Sequence, residues 1–408
     1  MKPHGPIPPA FHALSGELAV GGQTATELVR KAGGTPLFVY SAQMIAERVA
    51  RLRAAMPGRL RLHYAMKANP YAPLLELMAD LVDGLDIASG GELAQARAAG
   101  YLPREISFAG PGKQDRELRA AIRAGVTLNV ESEGEAERAL EIGRQLQVRP
   151  RMAVRVNPSF ELRGSGMKMG GGAKPFGVDA DRVPRLVERL VEGEAEFRGF
   201  HIYTGSQTLD AEAIIESQAS VLSLAAELAE AAGVGVPHLN MGGGFGIPYF
   251  AKDQALDIER VGRGLDEAFA DLPAPLADTQ FAIELGRYLV GEAGVYLTRI
   301  VDRKVSHGVT YLVTDGGMHH QLAASGNFGT VVRRNYPIAI ANRFDADAQE
   351  VVNVVGPLCT PLDRLGDQVH LPRAEVGDIV AVFCAGAYGA TASPSAFLGH
   401  GPALEMLV

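Results

Sequence analysis

Cysteine is scarce in this chain: Cys359 and Cys384 are the two among 408 residues. Their spacing matches no metal-ligand pattern, so neither a disulfide framework nor a zinc site is indicated, although a free thiol can still take part in chemistry. Runs of Lys and Arg are also missing. With a net charge of −8 and a pI near 5.7, the chain lacks the concentrated basic surface that sequence-independent nucleic-acid binding requires. No stretch of about eighteen apolar residues is present to cross a bilayer as a helix. Residues 1–10, MKPHGPIPPA, lack the apolar core of a signal peptide. The expectation is a soluble cytoplasmic protein with no membrane or nucleic-acid partner. No internal repeat and no low-complexity tail occur.

What is present is a large apolar content, 47%, beside 21% charged residues, which suits a globular protein with a sizeable core. The length of 408 residues predicts a barrel of ordinary size plus a second module. Residues 1–36 are rich in Gly and Pro, with one helical patch near 24–32 closed by Gly33-Gly34. From Leu37 short apolar runs alternate with helical patterns, and eight strands are predicted at 61–67, 84–89, 105–109, 127–131, 151–156, 198–203, 238–241 and 279–285. Eight parallel strands separated by helices predict an α/β fold, a (β/α)8 TIM barrel. A doubly wound open sheet is the alternative. Against it, no G-x-G-x-x-G follows the first strand, and polar residues gather at the C-terminal ends of nearly all eight. After Arg287 the texture becomes β-rich, with runs at 295–301, 309–314, 351–355 and 379–383. The expected division is an N-terminal segment, 1–36, joining the β-rich domain; a barrel, 37–285; and a C-terminal β-domain, 286–408. The longest break, residues 158–176, carries Arg163, Lys168 and Lys174 and reads equally as a lid or a disordered connector.

Lys67 closes the first strand, between Tyr64 and Asn69, where partial burial would let its amine form a Schiff base. Taken alone, a snorkelling structural lysine explains it as well. Gly242-Gly243-Gly244-Phe245-Gly246 follows the seventh strand, and successive glycines there let backbone N–H groups approach a phosphate. A flexible tight turn is the structural alternative. The eighth strand ends in Glu284-Leu285-Gly286-Arg287, a carboxylate and a guanidinium at one rim, or else a salt bridge. His319-His320 has no carboxylate at a ligating distance in sequence, so no metal is expected. Cys384 reads as a small buried hydrophobe, and His201 as either a core histidine or pocket lining.

Taken in order, YAMKAN at 64–69, DIASGGEL at 86–93, RVNP at 155–158, GFHIYTGSQ at 199–207, GGGFG at 242–246, ELGR at 284–287, GPLC at 356–359 and AGAYG at 385–389 give the chain a family likeness. Over nearly its whole length it resembles the fold-type III pyridoxal phosphate decarboxylases, the group containing diaminopimelate, ornithine and arginine decarboxylases. The resemblance implies a barrel with a β-sandwich-like domain, pyridoxal 5'-phosphate as cofactor, and a homodimer with shared active sites. It implies that Lys67 forms the Schiff base and that Glu284 faces the pyridine nitrogen, making the ring a strong electron sink. Tyr203, Ser206, Gly243, Gly244, Phe245, Gly246, Gly286, Arg287 and Tyr388 would bind the cofactor, with Arg287 and Tyr388 also meeting substrate. Cys359 would enter the partner's site and reprotonate the carbanion, and Thr360 and Asp363 would shape that cross-subunit site.

The departures bear on substrate. Tyr203 stands where the family usually has a second histidine, and Ala323 and Thr360 stand where diaminopimelate decarboxylases place an arginine and a glutamate. Thr360 also replaces the aspartate that ornithine decarboxylases use. CTPLD at 359–363 with GFHIYTGS resembles the branch containing exosortase-associated decarboxylases and enzymes acting on aminoacyl groups tethered to a carrier protein. The expectation is α-decarboxylation of an amino acid or a carrier-tethered aminoacyl group. The alternatives are diaminopimelate decarboxylase proper, a racemase of the same fold, and a catalytically silent homologue that acts as a binding partner.

Overall fold

The computed structural model describes residues 1–326 and 333–408. The chain forms two compact units, one of Val49–Gly246 with Leu256–Gly286, the other of Met1–Arg48, Ile247–Ala255 and Arg287–Val408.

The first unit is a closed parallel barrel. Its strands are Arg61–Ala65, Gly84–Ile87, Ile106–Phe108, Thr127–Val130, Arg151–Asn157, Glu196–Ile202, His238–Asn240 and Gln280–Leu285. Each pairs in parallel with the next, and the eighth returns to the first, Ala282 opposite Arg61 and Leu285 opposite Tyr64. All eight predicted strands are found, with no end shifted by more than two residues. Helices cover the outside, and their starts are written locally. Ser89 and Ser132 accept from the amides of Glu92 and Glu135, and Asp257 accepts from Arg260, each satisfying an otherwise orphaned N–H. Helix Asp115–Ala124 turns Leu118, Ala121 and Ile122 inward at the i, i+3, i+4 spacing that seals one face. The barrel interior is more polar than the usual Val/Ile/Leu layers. His63, Ser107, Asn129 and Asn240 line a cavity of about 320 Å3 with Arg61, Arg151 and Arg198.

The second unit is β-rich. Its main sheet runs Ile338–Ile340, Ile379–Phe383, Gly294–Ser306, Val309–Thr314, Glu350–Val355, Arg364–Leu371. The barrel does not begin at Leu37, as the sequence reading placed it. The run Leu37–Tyr40 is buried throughout and pairs antiparallel with residues 294–297 and parallel with Leu404–Leu407, so it belongs to the β-rich unit. Burial on both faces, not alternation, makes this apolar tetrapeptide a central strand. Residues 247–255 likewise leave the barrel for this unit. The N-terminal segment contributes Phe11, Leu18 and Leu28 to a core with Val295, Leu297 and Phe383. Thr24 and Glu27 form a capping box at the start of Ala25–Ala32, and Gly33, at φ 89°, ends that helix as its glycines foretold.

Candidate active site

In the barrel unit the first strand stops at Ala65, two residues before Lys67, because Met66–Ala68 coils into a 3₁₀ turn closed by Asn69 N donating to Met66 O. The Tyr64 hydroxyl donates to Asn69 O at 2.8 Å, and Asn69 Oδ1 accepts from Tyr71 N at 3.0 Å. These buried bonds fix the turn that presents Lys67. The lysine itself is exposed, not partly buried as expected, and its Nζ lies 5.8 Å from the centre of the Tyr203 ring. Glu92 also feels that charge: burial raises its carboxyl, while the Ala88 N–H and Lys67 act in the opposite direction. Gly286 lets the end of the eighth strand lie close to this turn, since a Cβ there would come 2.8 Å from Ala68 Cβ.

Glu284 is buried at the end of the eighth strand. Its Oε2 accepts from Asn240 Nδ2 at 3.0 Å and lies 3.1 Å from His201 Nε2. The latter is a close buried approach without the alignment of a hydrogen bond. Burial works to raise this carboxyl, but His201, Lys67 and Arg155 more than reverse it and hold it down at about 2. A permanently ionised carboxylate therefore sits inside the barrel mouth. His201, left open between core and lining, is core and partner at once.

The glycine loop is shaped by contacts that only glycine allows. Gly242 and Gly244 have φ of 69° and 86°. A Cβ on Gly243 would lie 2.0 Å from Glu284 O, and one on Gly244 2.7 Å from Gly205 O. Thr208 N donates to Gly244 O, and Gly246 N donates to Thr208 O, each at 2.9 Å, which ties the loop to the segment bearing Ser206. The Gly246 amide is therefore committed to the protein, and this glycine contributes space where the sequence reading expected a phosphate donor. Phe245 is buried. We expect Gly243→Ala to lower stability by about 1–3 kcal/mol and to lower Tm by about 5 °C; an unchanged melting curve would show that the loop can retreat. The long segment 158–176 is ordered against the same place: Met167 pairs with Ser206, and Gly166 N donates to Ser206 O at 2.9 Å. That removes the disordered-connector alternative for this stretch of backbone.

In the β-rich unit Arg287 donates from Nη1 to the Tyr249 hydroxyl at 2.8 Å and lies 4.7 Å from the centre of the Tyr388 ring. Burial would lower this guanidinium, yet Tyr249, Tyr388 and Tyr336 raise it further. Burial pushes Tyr249 itself up to about 12 against the pull of Arg287. Sequence reasoning missed Tyr249 and Tyr336, whose rings stand 4.6 Å apart. Nothing in an apolar Ile-Pro-Tyr-Phe run marks a functional hydroxyl. Tyr388 stands on a left-handed turn at φ 54°.

A second group in this unit surrounds Cys359, which is exposed on the turn between Gly356 and Asp363. Asp363 lies beneath that turn, almost fully buried, and accepts from Met318 N at 2.6 Å and Leu358 N at 2.9 Å. Burial raises its carboxyl while those two amides lower it. Its place makes it the clasp of the Cys359 turn. Thr360 Oγ1 accepts from Leu362 N at 3.3 Å within the same turn. Ala323 opens a short 3₁₀ turn and brings no charge. His320 is held between the Tyr296 hydroxyl and Gly401 O, and the buried His319 ring packs 3.8 Å from it. Among the described residues no cluster suited to a metal occurs. Cys384 is buried with its thiol pushed well up by that burial, the small hydrophobe expected.

An amine, a depressed carboxylate and a backbone cradle that a single Cβ would fill therefore meet at one barrel mouth, and this donor set fits a phosphorylated pyridine aldehyde. Comparison with known proteins gives the same answer. Residues 42–291 match the pyridoxal-dependent decarboxylase, pyridoxal binding domain family. The chain is 37% identical over 379 residues to L-glutamyl-[BtrI acyl-carrier protein] decarboxylase of Niallia circulans, covering 91% of this chain and 88% of that one. It is 32% identical over 402 residues to diaminopimelate decarboxylase of Archaeoglobus fulgidus, covering 98% and 93%. The crystal structure of diaminopimelate decarboxylase from M. jannaschii in complex with L-lysine superposes with a TM-score of 0.87 at 26% identity, covering 98% of this chain and 93% of that one. The chain belongs to the pyridoxal-dependent decarboxylase family and is a pyridoxal phosphate enzyme of amino-acid or acyl-carrier-linked decarboxylation.

Proposed function

We propose that the enzyme removes the α-carboxylate of an aminoacyl group carried on a carrier protein, with Lys67, Glu284 and Cys359 as its working groups. The observation that carries the substrate reading is the missing charge at Ala323 and Thr360. A free diamino dicarboxylate would need ionic anchors at its far end, whereas a tethered group is held by its carrier. The 37% identity to a decarboxylase named for a carrier-linked glutamyl group supports it.

The cofactor, when bound, supplies an electron sink for the pair left behind as CO2 departs. Lys67 Nζ would hold the cofactor through its aldehyde and would serve to move protons at the substrate Cα. Glu284, ionised at any pH near neutrality, would face the ring nitrogen of the cofactor and favour its protonated form, while His201 and Asn240 keep the carboxylate from turning away. Ser206 with the Gly243 and Gly244 backbone suits the phosphate, and Arg287 and Tyr388 retain the phosphate and substrate roles the resemblance gives them. Cys359 of a second copy delivers the proton to Cα after CO2 leaves.

The deciding experiment is a screen of free amino acids and carrier-tethered aminoacyl groups for CO2 release. Turnover of tethered groups alone is expected; ordinary turnover of free diaminopimelate would overturn the tethered reading and favour the activity of the 32% identical relative. Cys359→Ala should lower kcat by about 10²–10⁴-fold. Lys67→Ala and Cys359→Ala chains, each inactive alone, should regain part of the activity when co-expressed, and a pair that stays inactive would remove the shared-site dimer.

A further inference from the structure

The protein carries a net charge of −8, yet one groove of its β-rich unit is cationic. The groove, about 230 Å3, is walled by Lys2, Phe250, Lys252, Arg333, Arg334 and Asn335, four cations with no carboxylate among the described lining residues. Carboxylates close by are occupied. Asp367 pairs with Lys2 from outside the groove, and Asp253 accepts from the amides of Tyr249 and Phe250 at 3.1 Å each, where it fixes the loop. Arg333 is a structural member, donating to Ser325 O, Leu362 O and Arg364 O. Lys252 and Arg334 are exposed. Arg334 Cζ lies over the Phe250 ring, 3.6 Å from its centre, a cation–π contact that holds the guanidinium while the residue stays exposed.

Within the same unit a path of touching side chains leads inward. Phe250 packs on Tyr336, Tyr336 on Tyr249, and the Tyr249 hydroxyl accepts from Arg287. A partner seated on the groove would thus stand over the residues that back Arg287.

We propose that this groove docks a carrier protein, taking the acidic face and phosphodiester beside the arm that bears the aminoacyl group. The inference rests on the carrier-tethered reading above. Lys252 and Arg334, exposed on a groove with no carboxylate among its described lining residues, favour a polyanionic partner, and such steering charges act mainly on encounter and specificity, in a salt-dependent way. Phosphate pairing suits Arg334, whose guanidinium is held over the Phe250 ring and offers a planar fork of donors.

The test uses the cofactor-loaded full chain and the double variant Lys252→Glu with Arg334→Glu. Binding of a fluorescently labelled holo-acyl carrier protein is followed by anisotropy. Turnover is compared for an L-glutamyl group on that carrier and the same group on a free pantetheine arm. The expected result is about a tenfold or greater loss of carrier affinity and a matching rise in KM for the carrier-borne substrate. The KM for the pantetheine-borne substrate and both kcat values should stay unchanged. Unchanged carrier affinity and KM in the double variant would overturn the docking site while leaving tethered decarboxylation intact. Rapid turnover of free diaminopimelate, with no measurable carrier binding by the unaltered enzyme, would overturn the tethered reading and this docking site with it. Equal loss of binding to phosphatidylglycerol vesicles, with carrier binding unaffected, would assign the groove to a lipid surface and overturn the proposal.

Discussion

Lys67→Ala is expected to abolish CO2 release, by at least about a thousandfold, and to remove the absorbance band near ~420 nm that a lysine-bound pyridoxal enzyme displays. The side chain stands exposed on a turn whose other members, Tyr64, Asn69 and Tyr71, are bonded to one another, so truncation leaves the turn intact. The variant should therefore fold and melt like the unaltered protein. A normal melting curve with the band and the activity gone separates loss of chemistry from loss of structure. A variant that kept the band would place the amine elsewhere. Lys113, a further amine after a barrel strand, is buried and bonded to Glu135 at 2.7 Å, which makes it a poor substitute.

Glu284→Gln should lower kcat by about 10²–10³-fold, because a neutral amide cannot hold the ring nitrogen protonated. The same exchange should change the acid limb of stability. The Glu284 carboxyl is held near 2 in the folded protein against an ordinary value of 4.5. A depressed carboxyl contributes stability above its unfolded value, and that contribution disappears as pH falls through the folded one. For this buried group it is on the order of 3 kcal/mol. The unaltered enzyme should therefore exceed the variant in stability at pH 5 and above, with the gap narrowing between pH 4.5 and 2, as read from urea unfolding at each pH. A constant gap across that window would mean that Glu284 is not held ionised by its neighbours. The His201 contact is the largest of the influences that lower this carboxyl and is therefore part of that contribution.

Much of the barrel was legible in the sequence because its signals are short-range. Apolar runs alternate with amphipathic helices, and Ser89, Ser132 and Gly33 mark helix ends through bonds that span three or four residues. The fate of Leu37–Tyr40 was not, since four buried residues read equally well as a barrel strand or as a sheet centre, and only pairing with residues 294–297 and 404–407 separates the two. Asp363 shows the same limit on the site. Its motif marks it as important, but Gly317 and Gly356, far apart in sequence, open the space that lets it sink beneath the Cys359 turn. Tyr249 and the polar barrel interior carry no local signal at all.

Residue types and their local spacing determined by themselves that an amine follows one strand, a glycine loop another, and a carboxylate with an arginine a third. Tertiary structure alone decided which of these groups are ionised, buried or committed. Glu284 is depressed by His201 and Arg155 from other strands, Gly246 gives its amide to Thr208, and four cations converge from residues 2, 252, 333 and 334. Those outcomes depend on burial and on charges brought together by chain closure, and neither can be read from neighbours in sequence.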